Sequence, residues 1–404
     1  MDDSARLAAY ARLAVRVGLN LQPGQQLAVN ALVEHAPLVR AIARESYEAG
    51  ARHVDVHYTD QHVRRAHIEH AEGDALGWSP PWLVERLDAL GRDGGALLMI
   101  TGNPEPEIFG DLDGGRVAHA RMRTLSEASL RLTGGLCNWS VVAFPTEGWA
   151  STVFGDPDVE RLWQAVATAV RLDEPDPVVA WHEHIEKLER RAHALNTWAF
   201  DALRYRGPGT DLTVGLQPDA RWQSALDESR GIRHLANMPT EEVFTVPDAR
   251  RVDGTVRSTY PLQIQGTVVR GLEVRFAGGR AVEVRADEGD ALMHAHIASD
   301  EGAARLGEIA LVDASSRVGA TGLVFYDTLF DENAASHIAL GSAILQCVGE
   351  LAELAPEARH ARGINVSSIH TDFMIGSPEV AVSGVAKDSS EVAILRHGDW
   401  VLAE

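Results

Sequence analysis

Apolar positions in the first 150 residues alternate between two periods. Residues 4–18 set Leu7, Ala8, Ala11, Ala14 and Val15 at helical spacing, and Gly18 and Asn20 end that helix. QQLAVNA then reads as a short strand, and LVEHAPLVRAIARESYEAG as a helix stopped by Gly50. ARHVDVHYTD is a second strand, with Val54, Val56 and Tyr58 at every other position. PPWLVERLDALG continues as a helix, GALLMITG as a buried strand, residues 116–132 as a helix and WSVVAFPT as a strand. This alternation predicts a Rossmann-like α/β domain built on a parallel sheet. No GxGxxG follows any of these strands and no GxxxxGK[ST] occurs, so nucleotide-binding chemistry is not expected.

The pattern changes after RLDEPDPVVAW, a proline- and acid-rich stretch of linker character. A boundary near Pro177 divides an amino-terminal α/β domain, 1–176, from a second domain, 177–404. The second begins with the helix WHEHIEKLERRAHALNTWAFDAL. His182 and His184 are spaced HxH and lie about 200° apart on a helix, so they cannot share an ion as an HExxH pair does. They read as part of a charged helix surface. From Gly207 onward GPGTDLTVGLQ, RSTYPLQIQGTVVRGLEVRFAGGRAVEVRAD and GEIALVD are strand-rich, and LEVRF and AVEVRAD flank an AGG turn as a hairpin. GDALMHAHIASDEGAARLG reads as helical. The second half is therefore α+β with a mainly antiparallel sheet.

A length of 404 residues fits two domains. With 37 basic and 58 acidic residues the formal charge is -21, and no basic patch offsets it, which argues against nucleic acid or an anionic membrane surface as partner. An acidic cleft would attract a cationic group such as a peptide amino terminus. Cys137 and Cys347, the only cysteines, form no CxxC pair and read as two buried thiols in a reducing compartment. The amino terminus lacks the basic and apolar regions of a signal peptide, and no apolar run could span a bilayer. A cytoplasmic protein is expected.

Residues 325–379 carry the chemistry. FYDTLFDENAASHIALGSAI and GINVSSIHTDFMIGSPE contain Glu332, His337, His370 and Asp372, all of types that bind divalent metals. Glu308 in LGEIALVD and a glutamate in NMPTEEVFTVPD would complete the set. On a strand His370 and Asp372 point the same way, whereas the adjacent Glu241 and Glu242 face opposite sides, so only one of these two can join. DENAASHIALG reads as the start of a helix, with Glu332 at its mouth and His337 in its first turns. Glu308 reads as opening a strand at a sheet edge. A thiolate-free mixture of carboxylates and imidazoles suits zinc, cobalt or manganese, and six ligands suit two ions. His53, His57, His62, His67 and His70 have no tetrahedral spacing and read as solvated surface.

At these motifs the chain resembles the thermophilic-type metallo-aminopeptidases, the family of aminopeptidases T, S and II. NMPTEEVFTVPD, FYDTLFDENAASHIALG and HTDFMIGSPE carry the likeness most specifically, with NWSVVAFPTEGWA and GTDLTVGLQ as weaker carriers, and it covers essentially the whole chain. Spacings of 66, 24, 5 and 33 residues between successive candidates fit the family register and select Glu242 over Glu241. The resemblance implies ligation of two divalent ions by Glu242, Glu308, Glu332, His337, His370 and Asp372. It also implies removal of amino-terminal residues from peptides, and a homodimer. Glu308 and Glu241 are the candidates for general base. One position departs: the family carries a tyrosine seven residues after the histidine of HIALGSAY, and here it is Ile344. If His337 sits on a helix, residue 344 shares its face, and loss of a phenol there would remove an oxyanion donor unless Tyr326 substitutes. Two alternatives follow from that loss: hydrolysis of a non-peptide amide, or a weakly active metal- and peptide-binding dimer.

Overall fold

The computed structural model describes residues 3–106, 108–264 and 267–404. The chain forms two compact units. One comprises Met1–His182 with Leu226–Pro239, and the other Glu183–Ala225 with Thr240–Glu404.

The first unit is built on four parallel strands, β1 (Gln26–Leu32), β2 (His53–Thr59), β3 (Ala96–Thr101) and β4 (Asn138–Ala143), in the order β2-β1-β3-β4. Helices Pro81–Arg92 and Arg123–Thr133 press Leu87, Leu90, Ala128 and Leu132 onto Ala28 and Leu97 of the sheet, with Cys137 in the same cluster. The helix expected over 116–132 is two, Gly114–His119 and Arg123–Thr133. The histidines around β2 are mostly exposed or half-buried and pair locally, His62 with Glu105 at 2.6 Å and His67 with the Leu76 carbonyl at 3.0 Å.

In the second unit β5 (Ala202–Gly207) and β6 (Thr210–Leu216) form a hairpin. The chain then contributes β7 (Leu226–Ser229) and β8 (Ile232–Leu235) to the first unit. That hairpin was expected in the second domain. It belongs to the first because Val141 of β4 donates to Ala236 O at 2.8 Å and accepts from Met238 N at 3.0 Å. The second unit continues with β9 (Val243–Thr245), β10 (Pro247–Arg257), β11 (Leu262–Ile264), β12 (Thr267–Val269), β13 (Glu273–Ala277) and β14 (Arg280–Arg285). It ends with β15 (Leu306–Leu311), β16 (His337–Gly341), β17 (His370–Met374), β18 (Ala381–Val385), β19 (Glu391–Arg396) and β20 (Asp399–Trp400). An eight-stranded antiparallel sheet runs β14-β13-β10-β6-β5-β18-β19-β20. The β13–β14 hairpin turns through Gly278 and Gly279, both at positive φ, as the AGG motif requires. A separate four-stranded antiparallel sheet runs β17-β16-β15-β9 and carries most of the candidate site. Of the stretch expected to be helical after Gly289, only Asp290–Ile297 is helix.

The long helix Pro177–Trp198 corrects one expectation. His182 and Glu183 are exposed, but His184 is buried at 7% exposure, with Trp181, Ile185, Leu188, Ala192 and Leu195. That row repeats every three to four residues, so His184 lies on the apolar stripe and not on the charged surface.

Candidate metal centre

The register of the small sheet explains how distant residues meet. Ala339 of β16 lies opposite Glu308 of β15 on one side and Asp372 of β17 on the other. Residues directly opposite one another share a face, as do residues two apart on one strand. His337 and His370, each two positions from one of these, therefore project with Glu308 and Asp372 from one face. On the fourth strand Phe244 pairs with Ala310, two beyond Glu308, so Glu242, two before Phe244, joins that face and Glu241 turns away. The choice that strand alternation alone left open is decided by the pairing of β9 with β15.

This geometry corrects two expectations. His337 opens strand β16 instead of lying on a helix: the helical segment before it, Thr328–Asp331, is a single turn, and β16 is paired with both β15 and β17. Glu308 is not at a sheet edge, since β15 is paired on both sides and Glu308 is only 4% exposed. The helical argument for placing Ile344 beside His337 falls with the helix. Ile344 precedes the 3₁₀ segment Leu345–Glu353 and packs against Val246, Ala343, Cys347, Val348 and Ile364.

Five of the candidates form two triads with one common member. Glu242, Glu308 and His337 offer ligand atoms within 4.8 Å of one another, and so do Glu308, His370 and Asp372. His337 Nε2 lies 3.2 Å from Glu242 Oε2 and 4.0 Å from Glu308 Oε1. His370 Nε2 lies 3.0 Å from Glu308 Oε2 and 3.3 Å from Asp372 Oδ1. Glu332, at the end of the helical turn, stands outside both triads and lines a cleft of about 250 Å³ with His370, Asp372 and Tyr326. Glu241 is turned to His184, whose Nε2 lies 3.4 Å from Glu241 Oε2 and donates to the Thr240 carbonyl at 2.9 Å.

The donor set fits divalent cations on three counts. His370 Nδ1–H donates to Ser342 O at 2.8 Å, and His337 Nδ1 faces Ala335 O at 3.3 Å, which aims both Nε2 atoms at the carboxylates as metal-ligating histidines require. Glu242 Oε2 and Asp372 Oδ1 are buried without a well-aligned hydrogen bond among the described residues. Four carboxylates share this volume, and their charges act on one another. Burial raises the Glu332 pKa well above the usual range, and the charges of Asp372 and Glu242 raise it further. Burial also raises that of Glu308, against the pull of His370. For His337 burial works downward, but Glu242, Glu308 and Asp372 outweigh it and lift the imidazole to about 10. Asp372 is held below its usual value despite burial, chiefly by His370. Such a cluster draws positive charge into it, which protons supply in the cation-free chain and divalent ions would supply in their place.

Three further residues line or brace the site without having been among its candidates. Ala339 forms the floor between Glu308 and Asp372, fully buried. His296 lines the same cleft and meets Thr371 Oγ1 at 2.7 Å. Asn333 is also fully buried, and its side-chain oxygen accepts from Glu241 N–H at 2.7 Å. The apolar periodicity of Pro177–Trp198 could have marked His184 as buried; Asn333 lies within the FYDTLFDENAASHIALG motif and reads there as an N-cap candidate, which gives no sign of its burial.

The family model for thermophilic metalloprotease (M29) matches residues 3–400. The chain belongs to that family. Among its relatives, aminopeptidase T of Thermus thermophilus is 42% identical over 402 residues, covering 97% of each chain. Aminopeptidase 2 of Geobacillus stearothermophilus is 40% identical over 400 residues, covering 97% of this chain and 96% of that one. The solved structure of wild-type AmpT from Thermus thermophilus superposes with a TM-score of 0.92 at 40% identity, over 99% of this chain and 100% of that one. The 2,5-dihydroxypyridine dioxygenase of Pseudomonas putida KT2440 shares the fold alone, at TM-score 0.55 and 12% identity over 100% of this chain and 99% of that one. The resemblance first drawn from the motifs is thus borne out, and the M29 chain is a metallopeptidase of mixed α/β architecture.

Proposed function

We propose that this M29 metallopeptidase is an aminopeptidase working through two divalent ions, held by two triads that share Glu308. That shared carboxylate carries the reading: one triad on each side of one glutamate is what a two-ion centre needs, and a single four-coordinate ion would not use both. Glu242 and His337 would serve one ion and His370 and Asp372 the other, with Glu332 completing the set. Zinc, cobalt and manganese all suit these oxygen and nitrogen donors. When bound, the ions would lower the pKa of a water to roughly 7 and polarise the scissile carbonyl.

The remaining steps fall to the chain's own groups. Glu308, which faces both triads, is the carboxylate placed beside the attacking water and is the proposed general base. Glu241, turned to His184, is not placed for that task. Beyond the candidate ligands the cleft wall carries Asp327, which favours a substrate with a free ammonium terminus. Tyr326 projects from a left-handed backbone turn (φ 53) that the buried Asp331 holds by accepting from Phe325 N–H at 2.7 Å. Its hydroxyl is the candidate donor to the carbonyl oxygen as negative charge develops there. On the same reading the first unit is a Rossmann-like layer that carries no nucleotide. The protein works in the cytoplasm as a homodimer. No helix among the described residues is long and apolar enough to cross a membrane.

The test is hydrolysis of a panel of aminoacyl p-nitroanilides by the chelator-stripped chain reloaded with zinc, cobalt or manganese, beside N-acetylated counterparts. Metal-dependent release from free-amine substrates only, with two ions bound per chain, is expected. Release from the acetylated compounds alone would instead point to a non-peptide amide, and one bound ion would reject the two-ion centre.

A further inference from the structure

Glu242 and Glu332 share a weakness. Each stands one residue outside a regular element, Glu242 before β9 and Glu332 after the turn Thr328–Asp331. The β9 pairing sets the face that Glu242 takes but ends at Val243, and the helical turn ends at Asp331, so neither fixes the spacing between these two side chains. The amide of Asn333 sits between the two segments. Its Oδ1 accepts from the N–H of Glu241, the residue before Glu242, at 2.7 Å. Its Nδ2 donates to Leu329 O, in the turn that ends at Glu332, at 2.9 Å. Its own carbonyl accepts from Ser316 Oγ–H at 2.7 Å, which anchors the residue from a third side. The side chain is fully buried, so water cannot replace either arm.

We propose that Asn333 is a positioning residue that sets the spacing between Glu242 and Glu332, and so preforms the cation centre. The chemistry selects a neutral carboxamide. One partner is an N–H and the other a C=O, and only a side chain with a donor and an acceptor in one plane meets both. Aspartate keeps the acceptor and loses the donor. Alanine loses both. The inference rests on the metal-centre reading, and the experiment separates the two.

Calorimetric titration of the chelator-stripped full chain with zinc ion alone, on wild type, N333D and N333A, provides the test. Disturbing partners that orient metal ligands weakens binding about 10- to 100-fold. N333A is expected in that range, with N333D between it and wild type, and with the circular-dichroism spectrum of the cation-free chain unchanged. A role confined to general stability would leave zinc affinity where it is in any variant that folds. Wild-type affinity in folded N333A overturns the proposal. If N333A does not fold, N333D decides by the same criterion. Absence of zinc binding by the wild type would instead refute the metal-centre reading itself.

Discussion

Replacing Glu308 by glutamine separates the two faces of the centre's energetics. Glutamine keeps the shape of a side chain that is 4% exposed, and its oxygen can still accept from His370, which retains Asp372 at 3.3 Å. In the cation-free chain the substitution removes a buried charge and keeps a hydrogen-bond acceptor. The net change should therefore lie within about 1 kcal/mol, the size of one hydrogen bond. With cations present the balance differs. An ion at about 1,000 times its Kd stabilises the folded state by about 4.1 kcal/mol per site. Weakening one site about 100-fold removes about 2.7 kcal/mol. Glu308 belongs to both triads, whereas Asp372 belongs to one. E308Q should therefore forfeit roughly twice the cation-induced stabilisation that D372N forfeits, about 5 against about 3 kcal/mol. Urea denaturation of the three proteins, each with a chelator and with excess zinc, measures both differences. Equal losses for the two variants would show that Glu308 is not shared, and the two-ion argument would fail with it.

Other outcomes follow from the same geometry. A339V places a branched side chain on the floor between Glu308 and Asp372. It should cost about 1–3 kcal/mol through overpacking and weaken zinc binding, and calorimetry at wild-type affinity would contradict that placement. Y326F should lower kcat by about 10²–10³-fold with two ions still bound, as expected for loss of one oxyanion donor; an unchanged kcat would remove Tyr326 from the reaction. Asp313 pairs with Arg191, the two side chains 8% and 7% exposed, while Arg191 keeps Glu404 at 2.9 Å and the Trp400 ring at 4.6 Å. With those partners left, D313N should cost about 3 kcal/mol at pH 7, the low end for a broken buried pair. The Asp313 carboxyl is held below its usual value, since the Arg191 hydrogen bond overcomes the opposing effect of burial. Its contribution is therefore present above the unfolded pKa near 3.9 and lost as pH falls through the lower folded value. The gap between wild type and D313N should begin to narrow below about pH 4 in urea denaturation of the cation-free chain, and a gap of constant size would refute the assignment.

Much of this was legible in the chain. Strand periods placed β1 to β4, the AGG turn placed the β13–β14 hairpin, and HTDFM set His370 and Asp372 on one face because side chains in a strand repeat every two residues. What failed shares a cause. His337 follows ENAAS, whose small residues tolerate helix or strand, and local preference chose helix; pairing of β16 with both β15 and β17 chose strand. His184 looked like surface because its neighbours His182 and Glu183 are exposed, and only packing revealed the buried stripe. The hairpin 226–239 sits in the first unit through backbone hydrogen bonds to β4, which carry no side-chain signature. Residue types and their spacing along the chain therefore named the candidate donors. Which of two adjacent glutamates joins them, that Glu308 is common to two triads, and that Asn333 spans two loops were decided by inter-strand register and by buried hydrogen bonds. Glu308 and His370 are 62 positions apart and Glu241 and Asn333 are 92 apart, and no local period along a chain encodes such pairings.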